Sequence, residues 1–387
     1  MHRKPLVIKG GTVFTPFSRI DNGRVYIKNG RIAKVGKRIS RFSGVETVDA
    51  SGMMVVPGFV DTHVHGGSGS DVMDGTAEAV RKIASYHARF GTTSMVATTT
   101  TESFDRIIRA VRAARAVIER RTDGAEVVGI HLEGPYINPE RRGAQNVKHV
   151  RLPSLREFKR ILDESANRVR IVTLAPEIKR GVEFIAALKN MGIVLSAGHS
   201  NASYADMVSA IDAGITHVTH IFNGMRELHH REPGIVGAAL TREELTVSVI
   251  ADGVHVHPNV IELLFKAKGV DNIILITDAI RAAGMSDGTY ELGGLHVTVK
   301  RGVCRLASGT LAGSTLTMNM AVKNMIDFLG IPLSDALKMA STNAAKIIGF
   351  ADSKGSLEEG KDADIAILDE DFNVKSTIVK GRIIATS

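Results

Sequence analysis

Six side chains able to hold a metal ion or move a proton stand where apolar runs of this chain stop: His63, His65, Glu133, His199, His220 and Asp278. The first two close the stretch Val55-Pro-Gly-Phe-Val-Asp-Thr-His-Val-His-Gly-Gly67, which reads as a buried strand running into a glycine loop. Side chains two apart on a strand share a face, so both imidazoles point the same way. Taken singly, each of the six has a plainer reading. Glu133 or Asp278 can cap a helix, His199 before Ser200 and Asn201 can sit in a turn, and an isolated His-x-His can be split between core and loop. Taken together they are an all-nitrogen and oxygen donor set, which suits one or two divalent ions such as Zn²⁺, Fe²⁺ or Mn²⁺.

Such a set converges only if the strands that end in it lie side by side. Eight β-branched apolar segments are expected as strands: Met54–His65, Thr92–Thr99, Val127–Glu133, Val169–Pro176, Ile193–His199, Val218–Phe222, Thr246–Asp252 and Ile273–Asp278. Amphipathic stretches such as Ala77–Phe90 and Leu155–Asn167 separate them, the alternation that builds a parallel sheet. Eight β-α units close a (β/α)₈ barrel, whose chemistry sits at the C-terminal ends of its strands. An open doubly wound sheet is the alternative, but no G-x-G-x-x-G follows the first strand. Both ends of the chain carry short alternating segments, Leu6–Phe14 and Arg24–Gly36 at one end and Ala363–Leu368 and Ser376–Ile384 at the other, with Asn29-Gly30 as a hairpin turn. Neither end is long enough to bury a core alone, so they are expected to pair as one small β-sandwich domain. The expected division is 1–53 and 346–387 for that domain and 54–345 for the barrel, with a hairpin inserted over residues 287 to 312.

The composition narrows the function. With 44% hydrophobic and 23% charged residues, and no 18-residue apolar run, the chain reads as a globular protein that does not span a membrane. The basic start at Met1 lacks the apolar segment of a signal peptide, so a cytoplasmic location is expected. The single cysteine, Cys304, excludes an internal disulfide and a thiolate metal cluster. A net charge of +8 is spread along the chain without a basic block, and aromatic residues are 5%, which disfavours nucleic acid and favours a small anionic substrate. The arginines of Arg109 to Arg121 alternate with Ala, Val and Ile at helical spacing and read as a solvated helix face.

Seven motifs in order resemble the amidohydrolase superfamily, in its N-acetylglucosamine-6-phosphate deacetylase branch. They are Pro57-Gly-Phe-Val-Asp-Thr-His-Val-His-Gly-Gly, His131-Leu-Glu-Gly-Pro-Tyr, Ala197-Gly-His-Ser, Thr219-His-Ile-Phe-Asn-Gly-Met, Ala251-Asp-Gly-Val-His, Thr277-Asp-Ala and Leu311-Ala-Gly-Ser. The resemblance implies that Glu133, His199 and His220 hold the principal metal and that His63 and His65 can hold a second. It further implies substrate contacts at Ala144, Gln145, Asn223, Gly224, Arg231, His255, Leu311, Ala312 and Gly313. Gln145 departs from several relatives, which place His there. Of the other histidines, His131 is expected to pack behind the ligands, while His2, His87, His149, His217, His257 and His296 are expected to be structural.

Amide hydrolysis at neutral pH needs a nucleophile stronger than water and a proton for a poor leaving amine. Metal coordination lowers the pKa of bound water to about 7. A carboxylate beside that water can take its proton and return it to nitrogen, the role assigned to Asp278, with His255 or Gln145 as helpers to the developing oxyanion. The implied reaction is hydrolysis of N-acetyl-D-glucosamine 6-phosphate to D-glucosamine 6-phosphate and acetate. The rivals are another amidohydrolase activity, such as N-acetylgalactosamine-6-phosphate deacetylation, and a non-catalytic barrel scaffold. By the same resemblance Arg231 reaches into a neighbouring subunit's site, which implies a homodimer.

Overall fold

The computed structural model describes residues 4–38, 44–120 and 122–386. The expectations placed on Met1, His2 and Arg121 therefore lie outside the described residues. Eight parallel strands form one sheet in chain order: β1 (Phe59–Val64), β2 (Thr92–Thr99), β3 (Glu126–Glu133), β4 (Val169–Leu174), β5 (Val194–Ala197), β6 (His217–Val218), β7 (Thr246–Val249) and β8 (Ile273–Leu275). The sheet closes where the segment after β8 meets β1. Asp278 N donates to His63 O at 3.0 Å, and His65 N donates to Ala279 O at 2.9 Å. The barrel interior below the site is filled by Val60, Val96, Val128, Ile171 and Ile274, and the helix Asn343–Ile347 packs against them. Asn343 secures it by donating to the carbonyls of Val270 and Ile273 at 2.7 and 2.8 Å.

Helices between the strands cover the outside. The one over Phe104–Ile118 shows why: Ile107, Ile108, Val111, Ala114 and Val117 recur at helical spacing and are buried, while Arg109 and Arg112 point outward. The expected solvated face is there, and Arg112 uses it to grip Glu164 with two bonds of 2.6 and 2.8 Å. The insertion expected over 287 to 312 is a three-stranded antiparallel sheet, Gly288–Leu292, Leu295–Lys300 and Val303–Arg305.

The two chain ends do pair. One eight-stranded sheet contains Leu6–Phe14, Arg19–Lys28, Arg31–Gly36, Glu46–Asp49, Met54–Pro57, Ile365–Leu368, Val374–Val379 and Arg382–Thr386. It folds over on itself, since Arg31 bridges Asp362 and Ile32 N donates to Lys361 O at 2.9 Å. Alternation along two central strands gives this sheet two jobs. Val55, Ile365 and Ile367 face the small domain's own core, whereas Val56, Ala366 and Leu368 face the barrel's. The segment expected as one strand, Met54–His65, is thereby cut in two. Met54–Pro57 pairs antiparallel with Ile365–Leu368, and the barrel strand starts at Phe59. The break falls at Gly58, where a Cβ would collide with the side chain of Thr93.

Candidate metal centre and active site

Strands β5, β6 and β8 end earlier than the apolar pattern implies. His199 and His220 each lie two residues past a strand end and Asp278 three past, all with left-handed backbone (φ 48°, 31° and 49°). Non-glycine residues rarely adopt that conformation, and holding one there costs on the order of 1–3 kcal/mol. The surrounding barrel imposes these turns, and they swing three functional side chains inward over the barrel mouth. Neighbouring glycine makes room for one of them. A Cβ on Gly224, itself at φ 61°, would sit 2.8 Å from His199 Nδ1.

Glu133, the last residue of β3, is the hub. Its Oε1 lies 3.0 Å from His220 Nε2, 3.2 Å from His199 Nε2 and 3.4 Å from His63 Nε2. Its Oε2 lies 3.2 Å from His65 Nε2 and accepts from Gln145 Nε2 at 2.6 Å. Asp278 Oδ1 closes the ring at 3.2 Å from His65 Nε2 and 3.4 Å from His63 Nε2. Two donor trios result, His63/His65/Glu133 and Glu133/His199/His220, each with its ligating atoms within 4.8 Å of one another.

The electrostatics follow from burial. Burial pushes the Glu133 carboxyl up, but the neighbouring His63 charge and the hydrogen bonds of His199 and His220 hold it well below the usual range. Asp278 is likewise pushed up by burial, and His63 and His65 outweigh that and bring it to about 2. Burial disfavours a charged His65, yet its bonds to Asp278 and Glu133 raise it well above 6.5. The pocket thus gathers anionic charge and holds positive charge in return. The donor set fits divalent ions: five imidazole and carboxylate groups present nitrogen and oxygen to a common centre, with no thiolate.

Supporting groups fix these side chains. Asp61, missed from sequence, ties β1 to the segment after β8 by accepting from Thr277 Oγ1 at 2.6 Å and His63 N at 3.2 Å; burial raises its carboxyl to about 6. His131 packs behind the centre as expected, its Nε2 2.7 Å from Thr173 Oγ1, and burial holds it well below 6.5. His217 pairs with Thr246 Oγ1 at 2.8 Å. His149, for which the sequence offers no partner, lies 3.3 Å from Glu102. His255 is gripped by Asp252, Nδ1 to Oδ2 at 2.7 Å, which leaves Nε2 for a ligand.

Above the centre opens a cavity of about 380 Å³. Of the residues expected to touch substrate, Ala144, Gln145, Asn223, Gly224, His255, Leu311 and Gly313 line it. Two do not. Ala312 turns into an apolar cluster with Ile280, Leu292 and Cys304, because alternate residues of an extended segment face opposite ways. Arg231 is exposed on the loop after β6, its guanidinium 2.8 Å from His230 Nε2. Leu292, Arg305 and Thr310 line the cavity unforeseen; all three come from the inserted sheet and its flank, whose position over the mouth no local pattern encodes.

A closed parallel barrel with a histidine and carboxylate centre at the C-terminal ends of its strands defines a metal-dependent barrel enzyme. Residues 54–384 match the amidohydrolase family, and the chain belongs to that family. It is 41% identical over 382 residues to an N-acetylglucosamine-6-phosphate deacetylase of Bacillus subtilis (strain 168), spanning 98% of this chain and 96% of that one. It is also 37% identical over 377 residues to an N-acetylgalactosamine-6-phosphate deacetylase of Escherichia coli O157:H7, spanning 97% and 98%. Among solved structures it is similar to a mutant N-acetyl-D-glucosamine-6-phosphate deacetylase of Mycobacterium smegmatis in complex with N-acetyl-D-glucosamine-6-phosphate, with a TM-score of 0.92, 36% identity and coverage of 99% and 100%.

Proposed function

We propose that this chain hydrolyses the acetamide of N-acetyl-D-glucosamine 6-phosphate, releasing acetate and D-glucosamine 6-phosphate. The observation that carries it is the placing of Asp278 within 3.4 Å of two metal-type histidines at the floor of a cavity lined by Asn223, Gly224 and His255. The full-length relatives that act on this class of sugar phosphate support it. Glu133, His199 and His220 hold one divalent ion, and His63 and His65 with Glu133 hold a second; Zn²⁺, Fe²⁺ and Mn²⁺ all suit the donors. Such an ion supplies Lewis acidity, acidifying water and polarising a carbonyl oxygen.

The residues do the rest. Asp278, ionised at neutral pH, takes one proton from the attacking water as oxygen bonds to the acetyl carbon. It delivers that proton to the nitrogen as the carbon–nitrogen bond breaks. His255, oriented by Asp252, faces the amide oxygen, and Asn223 with the Gly224 backbone meets the phosphate. The catalytic unit is residues 54–345, flanked by 1–53 and 346–387, and it lends the strand Met54–Pro57 to the flanking sheet. No helix of the described residues is long and apolar enough to cross a membrane.

Acetate release from a panel of N-acetylhexosamines, with and without 6-phosphate, tests the reading. Turnover of N-acetylglucosamine 6-phosphate at least tenfold above the unphosphorylated sugar is expected, and no release from any phosphorylated sugar would overturn it. The relative from Escherichia coli makes N-acetylgalactosamine 6-phosphate the second reading, and the same panel separates the two.

Arg231 completes the neighbouring subunit's phosphate site in a homodimer. Arg is shaped to grip phosphate in two places, and here it stands exposed outside its own chain's cavity. Mixing an Arg231→Ala chain with an Asp278→Asn chain should regenerate activity, since one of the two sites then holds both intact groups. A monomer by sedimentation, or no recovery in verified heterodimers, would show that Arg231 does not act in trans.

A further inference from the structure

The two oxygens of Glu133 have different surroundings. Oε1 lies within 3.4 Å of three imidazole nitrogens, those of His63, His199 and His220. Oε2 has His65 at 3.2 Å and the amide of Gln145 at 2.6 Å. The orientation of that amide is fixed from behind. Thr101 N, just past the end of β2, meets Gln145 Oε1 at 2.6 Å, and a backbone N–H can only donate, so the Gln145 nitrogen faces Glu133. Thr101 is fully buried, so water is kept from that end of the link, while Gln145 is 7% exposed toward the cavity. Left to itself, the terminal torsion of a glutamate is broad and turns easily. A carboxylate that must serve two cations cannot be allowed to turn.

We propose that Gln145 is a positioning residue for Glu133: it holds Oε2 toward His65 while Oε1 faces His63, His199 and His220, so that one carboxylate serves both cation positions. A neutral amide suits this task, since it donates to the carboxylate without taking a cation's place. Each carboxylate oxygen has two lone pairs, so Oε2 can accept from Gln145 and still face an ion. Gln145 retains a second N–H, which leaves it free to touch a ligand in the cavity it lines. Oε1 has three imidazole neighbours to keep its place and Oε2 only His65, so loss of the amide acts first on Oε2 and on the His63/His65 position. The inference rests on the reading that the centre holds divalent ions.

Calorimetric titration of the metal-free protein with Zn²⁺ tests it, with a His63→Ala/His65→Ala variant assigning the phase that belongs to that pair. Gln145→Met should weaken that phase about 10–100-fold, the usual cost of losing a group that orients a ligand. The phase belonging to His199 and His220 should move less than about threefold. Equal weakening of both phases, no weakening of either, or a single phase in the parent protein overturns the inference. If thermal melting shows Gln145→Met to be unfolded, Gln145→Leu replaces it. That variant cannot donate to Oε2 and adds no donor for an ion, so the same phase should weaken at least as much, and an unchanged phase overturns the inference. Failure to release acetate from any sugar would sink the functional reading and leave these titrations standing.

Discussion

Among the described residues, two regions gather three metal-type groups within 4.8 Å, and they differ in whether a lysine already sits among them. At the barrel mouth stand Glu133, His199 and His220; at the opposite end, where the terminal sheet meets the start of β3, stand Glu126, Asp362 and Asp364. The lower cluster already contains its cation. Lys354 Nζ, on a side chain only 2% exposed, lies 2.7 Å from Glu126, 3.2 Å from Asp362 and 2.6 Å from Asp364, and Lys380 adds a contact of 2.6 Å to Glu126. Among the described residues the ion-pair partners of Glu133 and Asp278 are histidines alone. Acidic clustering does not mark a metal site. What does is a cluster whose cation the chain withholds, built from imidazoles that must be neutral to ligate. The lower cluster reads as a lock between the two domains, the upper as a centre open to exchange.

Equivalent substitutions at the two regions should therefore have unlike consequences. Glu133→Gln removes the hub and is expected to abolish retained divalent metal, with kcat/KM down by about 10³-fold or more, since an ion is worth several kcal/mol of transition-state stabilisation. Glu126→Gln should change neither quantity more than about twofold. Elemental analysis and acetate release check both, and full activity in Glu133→Gln would dissolve the distinction. Within the upper region, Asp278→Asn keeps the size and loses the base, so kcat should fall about 10²–10⁴-fold while metal content is largely kept. Near-normal turnover would mean another group moves the proton.

The upper region was readable in the sequence and the lower one was not, for a physical reason. His63, His65, Glu133, His199, His220 and Asp278 each end an apolar run, and a closed barrel brings strand ends together whatever their separation in the chain. The pattern did not reveal how short the strands are. Expected strand Val218–Phe222 is only His217–Val218, because His220 and Phe222 leave the β region with φ of 31° and 76°. Only tertiary packing holds such a conformation, so no propensity announces it. Glu126, Lys354, Asp362 and Asp364 meet through the pairing of β3, the turn after residue 350 and the last strands, and nothing periodic links them. Arg305 was hidden for the same reason: its place over the cavity is set across the fold, not along a pattern.

Lys354→Met should break the lock. It leaves Asp364 and its neighbours buried without their cation, which costs about 3–5 kcal/mol when one member of a buried pair is removed. Urea unfolding should show that loss while kcat per folded molecule stays within about twofold. A stability change under 1 kcal/mol would mean water or Lys380 replaces the lost ammonium, and the lower cluster would then be a surface feature like any other salt bridge.

The smallest expected effect concerns acid, and it asks which end of the molecule gives way first. His87 is fully buried under the loop that follows His65, with Nε2 donating to Gly66 O at 2.9 Å and no partner for Nδ1. Burial, partly offset by that bond, brings it to about 4. Its folded value lies below the unfolded value of about 6.5, so below pH 6.5 the unfolded chain binds the extra proton and the native one does not. The stability this group contributes is thus complete above about pH 7 and is lost as pH falls toward 4, up to about 3 kcal/mol. His87→Gln keeps a donor for Gly66 O and cannot titrate, so its unfolding free energy should fall less steeply over that window. Lys354→Met removes the cation that offsets the burial of Asp364, so that carboxyl is pushed further up, takes up a proton as pH falls, and should flatten the variant's curve relative to the parent's. Parallel curves for the parent and His87→Gln would place the acid weakness elsewhere, and a Lys354→Met curve parallel to the parent's would show that Asp364 takes up no proton in that window.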